Sequence, residues 1–125
     1  MARMAVRNIC LVEDDPAIFE SLTMLLERHR MRVTRYETAE AFLAQARPDD
    51  FDCLLLDHQL PAMTGLELLE NLRARHIDVP AIVMTGSPDG MLARRAARAG
   101  SVVFLHKPMK FKELLAAIDT AALPH

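Results

Sequence analysis

The residues able to do chemistry fall at four places. An apolar run, Ile9-Cys10-Leu11-Val12, ends in three acids, Glu13, Asp14 and Asp15, and then Pro16. Asp57 closes the run Cys53-Leu54-Leu55-Leu56, Thr85-Gly86 closes Ala81-Ile82-Val83-Met84, and His106-Lys107-Pro108 follows Val102-Val103-Phe104-Leu105. Two carboxylates ~4 Å apart repel by roughly 4 kcal/mol even at an effective dielectric of ~20. The acids are therefore either splayed into water or held together by a cation. Carboxylates suit a hard divalent cation, while a hydroxyl and an ammonium suit the oxygens of an anion. If the four sets meet, they make a site for a metal and an anionic group together.

Whether they meet depends on the elements that carry them. Apolar stretches of strand length recur at residues 8–12, 31–36 (the weakest), 51–56, 81–84 and 102–105. Helical patterns follow each. Ile18, Leu22, Leu25 and Leu26 recur at i, i+4, i+7, i+8 spacing and mark the inner face of the first helix; Leu66, Leu68, Leu69 and Leu72 mark that of a third and Phe111, Leu114, Leu115 and Ile118 that of a fifth. Residues 38–47 and 89–99 are Ala-rich and read as the second and fourth helices. Asp15-Pro16 and Ser87-Pro88 each offer an N-cap followed by proline, Thr64-Gly65-Leu66-Glu67 fits a capping box, and Gly100 closes the fourth helix.

Alternating strands and helices predict a parallel sheet covered on both faces. The uninterrupted apolarity of "CLLL" and "AIVM" agrees, because a strand buried on both sides does not alternate. In such a sheet, ligands bind beyond the carboxyl ends of the strands. The acids, Asp57, Thr85 and Lys107 all sit at strand ends and so converge on one edge.

Bulk properties fit this picture. A chain of 125 residues makes one domain, spanning 1–125, with a single well-formed core. A net charge of −2 gives no general reason to expect nucleic-acid or membrane binding. No apolar stretch approaches the roughly 20 residues of a membrane span, and the first residues lack the apolar core of a signal peptide. Cys10 and Cys53 lie within apolar runs and outside any metal-ligand spacing, which reads as reduced, buried thiols in a cytoplasmic protein.

With these motifs in place, the sequence resembles the receiver domain of two-component response regulators over essentially its whole length. The resemblance rests on the acids of "LVEDDP", the segment "LLLDHQLPAMTGLELL", the strand end "VMTG" and "FLHKP", in order and one per strand end. It implies the CheY-like, flavodoxin-like α/β fold with strand order 2-1-3-4-5. It also implies that Asp57 is the phosphoacceptor and Mg²⁺ the cofactor. The family places an apolar, helix-facing residue four positions after the second metal acid. Counting back from Ile18 makes the pair Glu13 and Asp14 and leaves Asp15 as the helix cap. Asp14 and Asp57 are then direct carboxylate ligands, with Glu13 acting directly or through water and the backbone carbonyl of Gln59 completing the protein's share.

By the same resemblance, Thr85 and Lys107 take phosphoryl oxygens, Gly86 leaves access and offers its N–H, and Lys107-Pro108 is a cis-peptide candidate. Phe104 matches the aromatic that changes rotamer on phosphorylation. Gln59 and Ser87 flank the path of attacking water, and His58 and His106 border the site. The implied partners are a sensor histidine kinase or phosphotransfer protein upstream and a downstream protein at the helix 4/strand 5/helix 5 face, where Arg94, Arg95 and Arg98 form a basic stripe. Direct nucleic-acid binding by the domain is not expected, and homodimerisation and a further output domain are left open. The domain is expected to catalyse only its own phosphorylation and dephosphorylation.

Competing classes fit less well. A haloacid-dehalogenase-like phosphohydrolase needs a second Asp two residues after the nucleophile, where this chain has Gln59. A flavodoxin proper binds the flavin phosphate after the first strand, and here that loop is acidic. A phosphorylation-independent interaction module on the same fold is the alternative that remains, and the complete acid, Asp, Thr and Lys set argues against it.

Overall fold

The computed structural model describes residues 7–87, 89–108 and 110–121, and for 101–104 the backbone alone. The strands are β1 (Arg7–Val12), β2 (Met31–Tyr36), β3 (Cys53–Asp57), β4 (Ala81–Thr85) and β5 (Ser101–His106). The helices are α1 (Pro16–Glu27), α2 (Ala39–Gln45), α3 (Gly65–Ala74), α4 (Gly90–Arg98) and α5 (Phe111–Ala121). All strand pairs are parallel, in the order β2-β1-β3-β4-β5, so the flavodoxin-like order expected from the sequence is the order observed.

Burial explains which strands are legible. Every residue of β3 and of β4 is buried, whereas the edge strand β2 exposes or half-exposes all but Met31 and shows the weakest apolar signal. Successive residues of the central strands point to opposite faces. Cys10, Val12, Leu54, Leu56 and Val83 pack with Phe42 of α2, the leucines of α3, and Leu92 and Ala96 of α4. Ile9, Leu11, Cys53, Leu55, Ile82 and Met84 pack on the other face with Leu26 of α1 and with Leu114 and Ile118 of α5. The two cysteines are free, buried and on opposite faces; burial pushes the Cys53 thiol up to about 12 and the Cys10 thiol higher still.

Some boundaries differ from the sequence expectation for local reasons. Phe51 and Asp52 lie before β3, because Phe51 N–H closes a 3₁₀ turn onto Pro48 (3.2 Å) and the Asp52 carboxylate accepts from Asn8 N–H (2.7 Å). Asp89, not Ser87, caps α4: its backbone is extended and its carboxylate accepts from Leu92 N–H at 2.7 Å. Pro88 lies outside the described residues. Gly100 does close α4, at φ +75°, a left-handed conformation in which an L side chain is strained.

Candidate functional site

The register of the sheet assembles the site. Val12 pairs with Leu56, which sets Glu13 level with Asp57; Asp57 pairs with Met84, which brings Thr85 alongside; and Thr85 pairs with His106, one residue before Lys107. Lys107 N–H donates to Thr85 O at 2.7 Å, and the Lys107-Pro108 bond is cis, the isomer anticipated for it. Asp15 takes no part in the cluster. Its carboxylate caps α1, accepting from Ala17 N–H (2.9 Å) and Ile18 N–H (3.4 Å).

Three acids remain together. One carboxylate oxygen from each of Glu13, Asp14 and Asp57 lies within 4.8 Å of the others. Asp14 is exposed, whereas Glu13 and Asp57 are buried at 0% and 3% exposure; with Thr85 at 0% they are the buried polar side chains among the described residues. Lys107 Nζ lies 3.1 Å from Asp57 Oδ1 and 3.3 Å from Glu13 Oε1. Asp57 Oδ1 also accepts from the backbone N–H of Gln59 at 3.1 Å.

One ammonium does not neutralise three carboxylates. Burial first, and then the neighbouring Asp57 carboxyl, push the Glu13 carboxyl up to about 7 despite the opposing pull of Lys107. For Lys107, burial lowers the pKa, but the charges of Asp57 and Glu13 outweigh it and hold the ammonium above its ordinary range. Glu13 Oε2 is buried without a hydrogen-bond partner. A buried, unsatisfied carboxylate oxygen among three converging acids is what a divalent cation relieves, so the residues present fit Mg²⁺.

Beside Asp57 lies a second network. Thr85 Oγ1 accepts from Gln59 Nε2 at 2.7 Å and from Ser87 N–H at 3.1 Å, and Gly86 N–H donates to Gln59 Oε1 at 3.1 Å. The carboxamide's orientation follows from the last bond, since a backbone N–H can only donate. The Thr85 hydroxyl and Gly86 N–H are thus bound to one side chain, and the backbone N–H of that residue donates to Asp57. Phe104 is paired with Val83 through the backbone, and its side chain lies outside the described residues. His58 is half-buried, and burial, followed by the Arg95 charge, holds its imidazole below the ordinary range.

The surrounding elements pack and bond against this edge. Thr64 and Glu67 form a reciprocal capping box at the start of α3 (2.9 and 3.1 Å). Gly65, which follows Thr64, packs directly on β3: a Cβ there would clash with the Asp57 carbonyl oxygen. Arg35 was not singled out from the sequence. From β2 its Nε donates to the Glu13 carbonyl (3.2 Å) and its Nη2 to the Asp14 carbonyl (3.4 Å), while the guanidinium sits 4.5 Å from the Phe19 ring centroid. A basic residue in a weak edge strand carries no local signal for this role, because its partners are 21 and 22 residues away.

Comparison with known proteins agrees with the geometry. Residues 9–119 match the response regulator receiver domain family. The transcriptional regulatory protein FixJ of Azorhizobium caulinodans is 41% identical over 108 residues, covering 86% of this chain and 51% of FixJ. The chain thus spans about half the length of the curated relatives it matches. The crystal structure of FixJ-N superposes with a TM-score of 0.85 at 36% identity, covering 98% of this chain and 99% of that one. The non-phosphorylated HemR receiver domain from Leptospira biflexa gives a TM-score of 0.87 at 30% identity, covering 95% and 97%. From sequence motifs, strand order and these matches together, the chain belongs to the response regulator receiver domain family.

Proposed function

We propose that this receiver accepts a phosphoryl group on Asp57 from a histidine of a sensor kinase or phosphotransfer protein, in a Mg²⁺-dependent reaction. The observation that carries the reading is the buried Asp57 carboxylate, held by Lys107 Nζ at 3.1 Å within a cluster of three acids, with Thr85 closing the neighbouring strand. Glu13, Asp14, Asp57 and the backbone carbonyl of Gln59 would hold the metal. Mg²⁺ bound there supplies the positive charge that screens a carboxylate from an approaching phosphoryl group.

The chain's own residues supply the rest. Gln59 N–H and Lys107 Nζ fix the orientation of the Asp57 carboxylate. An Asp57 oxygen attacks phosphorus; the new P–O bond forms as the bond from phosphorus to the donor's histidine nitrogen breaks, and the electron pair leaves on that nitrogen. Lys107 then pairs with one phosphoryl oxygen, while the Thr85 hydroxyl and Gly86 N–H donate to others. The domain acts only on its own phosphoryl group, and the α4/β5/α5 face carries the signal to a partner protein, with Arg94 and Arg98 offering charge there, whereas Arg95 pairs with Glu70 of α3 at 2.7 Å.

Incubation with acetyl phosphate and intact-mass measurement tests the reading. One Mg²⁺-dependent phosphoryl adduct is expected in the wild type and none in Asp57→Asn. Intact Mg²⁺ binding without an adduct would refute phosphoryl acceptance.

A further inference from the structure

The Gln59 carboxamide already binds both groups that the proposed function assigns to phosphoryl oxygens, accepting from the Gly86 N–H and donating to the Thr85 hydroxyl oxygen. Its Oε1 takes the Gly86 N–H at 3.1 Å, and its Nε2 holds the Thr85 hydroxyl oxygen at 2.7 Å. Its own backbone N–H holds Asp57 Oδ1. Thr85 is fully buried, and a buried hydroxyl or N–H without a partner is costly. Gly86 is exposed and Thr85 Oγ1 also accepts from Ser87 N–H, so what Gln59 adds at rest is occupancy of the Gly86 N–H and crowding of the Thr85 hydroxyl, where phosphoryl oxygens would otherwise bond.

We propose that Gln59 is a positioning residue whose side chain stands in for the phosphoryl group in the resting protein and must be displaced when the phosphoryl group arrives. The inference rests on phosphoryl acceptance at Asp57. Displacement is chemically consistent. A phosphoryl oxygen accepts from Gly86 N–H as the amide oxygen does, with the added strength of a charged acceptor. At Thr85 the polarity reverses, because the hydroxyl oxygen accepts from Gln59 at rest and the hydroxyl donates to the phosphoryl oxygen afterwards. There is room for the displaced amide. Gln59 borders an open cleft of about 480 Å³ against α4, where Ser87, Asp89 and Arg95 offer polar partners.

The stand-in lowers the affinity for the phosphoryl group by the Gly86 bond, which must break, and by the Thr85 bond when the whole amide leaves. Beryllofluoride, a phosphoryl analogue, reads this out with Mg²⁺ present. At one net hydrogen bond to two, Gln59→Met and Gln59→Ala are each expected to bind it about five- to thirtyfold more tightly than the wild type. Met keeps the length of Gln without its hydrogen bonds, so agreement between the two variants separates bonding from bulk. Gln59→Glu, which keeps an acceptor for Gly86 but adds a negative charge, is expected to bind the analogue more weakly.

In the wild type, the Gln59 side-chain amide resonances in a ¹⁵N–¹H spectrum are expected to move toward solvent-exposed values on adding beryllofluoride. Equal or weaker binding by Gln59→Met and Gln59→Ala, a change confined to Mg²⁺ affinity, or unmoved amide resonances would overturn the inference while leaving phosphoryl acceptance standing. Failure of all four proteins to bind beryllofluoride with Mg²⁺ bound would overturn both.

Discussion

Glu13 provides a test of the site that is independent of any phosphoryl donor. In the metal-free protein its carboxyl is raised from an ordinary 4.5 to about 7, first by burial and then by Asp57. A carboxyl that holds its proton more tightly folded than unfolded makes the folded state bind more protons between those two values. Stability from this group therefore falls as pH rises from about 4.5 to about 7, and is level on either side. The loss corresponds to about 3 kcal/mol, at about 1.4 kcal/mol for each tenfold change in proton affinity. Gln is close in shape to a protonated Glu but cannot ionise. Urea unfolding of wild type and Glu13→Gln in EDTA, at several pH values from 4.5 to 8, reads the effect together with its coupling to Asp57 and Lys107, since His58 and the more distant titrating groups are common to both. The stability of Glu13→Gln relative to wild type is expected to grow by about 3 kcal/mol across this range. Saturating Mg²⁺ is expected to stabilise the wild type most at the alkaline end, where the carboxylate is free to bind it. A difference between the two proteins that does not change with pH, or that shrinks as pH rises, would refute the assignment of a buried, proton-holding Glu13.

Three further outcomes follow from named contacts. Gly65→Ala places a methyl against the Asp57 carbonyl. It is expected to cost at least the 1–3 kcal/mol typical of overpacking (roughly, from mutational series) and to lower phosphorylation at the same time, checked by urea unfolding and intact mass. Arg35→Met removes the fork on the Glu13 and Asp14 carbonyls and is expected to weaken Mg²⁺ binding by calorimetry, whereas Arg35→Lys, which retains one donor, recovers part of it. Thr64→Ala breaks the capping box of α3 and is expected to cost about 1 kcal/mol in urea unfolding.

The parts of the fold that could be read in advance are those where burial dictates residue type. The β3 leucines and Leu66, Leu68, Leu69 and Leu72 of α3 are all buried, and two-sided burial or a helical stripe is written directly as apolar spacing. The site was readable as a set because its acids, Thr85 and Lys107 each close a strand, and parallel pairing brings strand ends to one edge. What was not readable depends on contacts between elements. Gln59 and Thr85 are 26 residues apart, so their bond follows from the β3–β4 register and the turn after Asp57, neither of which the residue types specify. Arg35 depends in the same way on the β1–β2 pairing. At the start of α4, the Ser87-Pro88 signal misplaces the cap by two residues, because the Asp89 carboxylate is the group that reaches Leu92 N–H.

The central claim is that the phosphoryl group is carried by the carboxylate of Asp57. The most direct measurement is borohydride reduction of the acetyl-phosphate-treated protein, followed by peptide sequencing in a mass spectrometer, because borohydride converts an aspartyl phosphate to homoserine and leaves free carboxylates intact. The account predicts homoserine at position 57, dependent on Mg²⁺. Homoserine at position 14 or 15, 2-amino-5-hydroxyvaleric acid at position 13, or no reduced residue at any position in a protein that has gained phosphate, would contradict it.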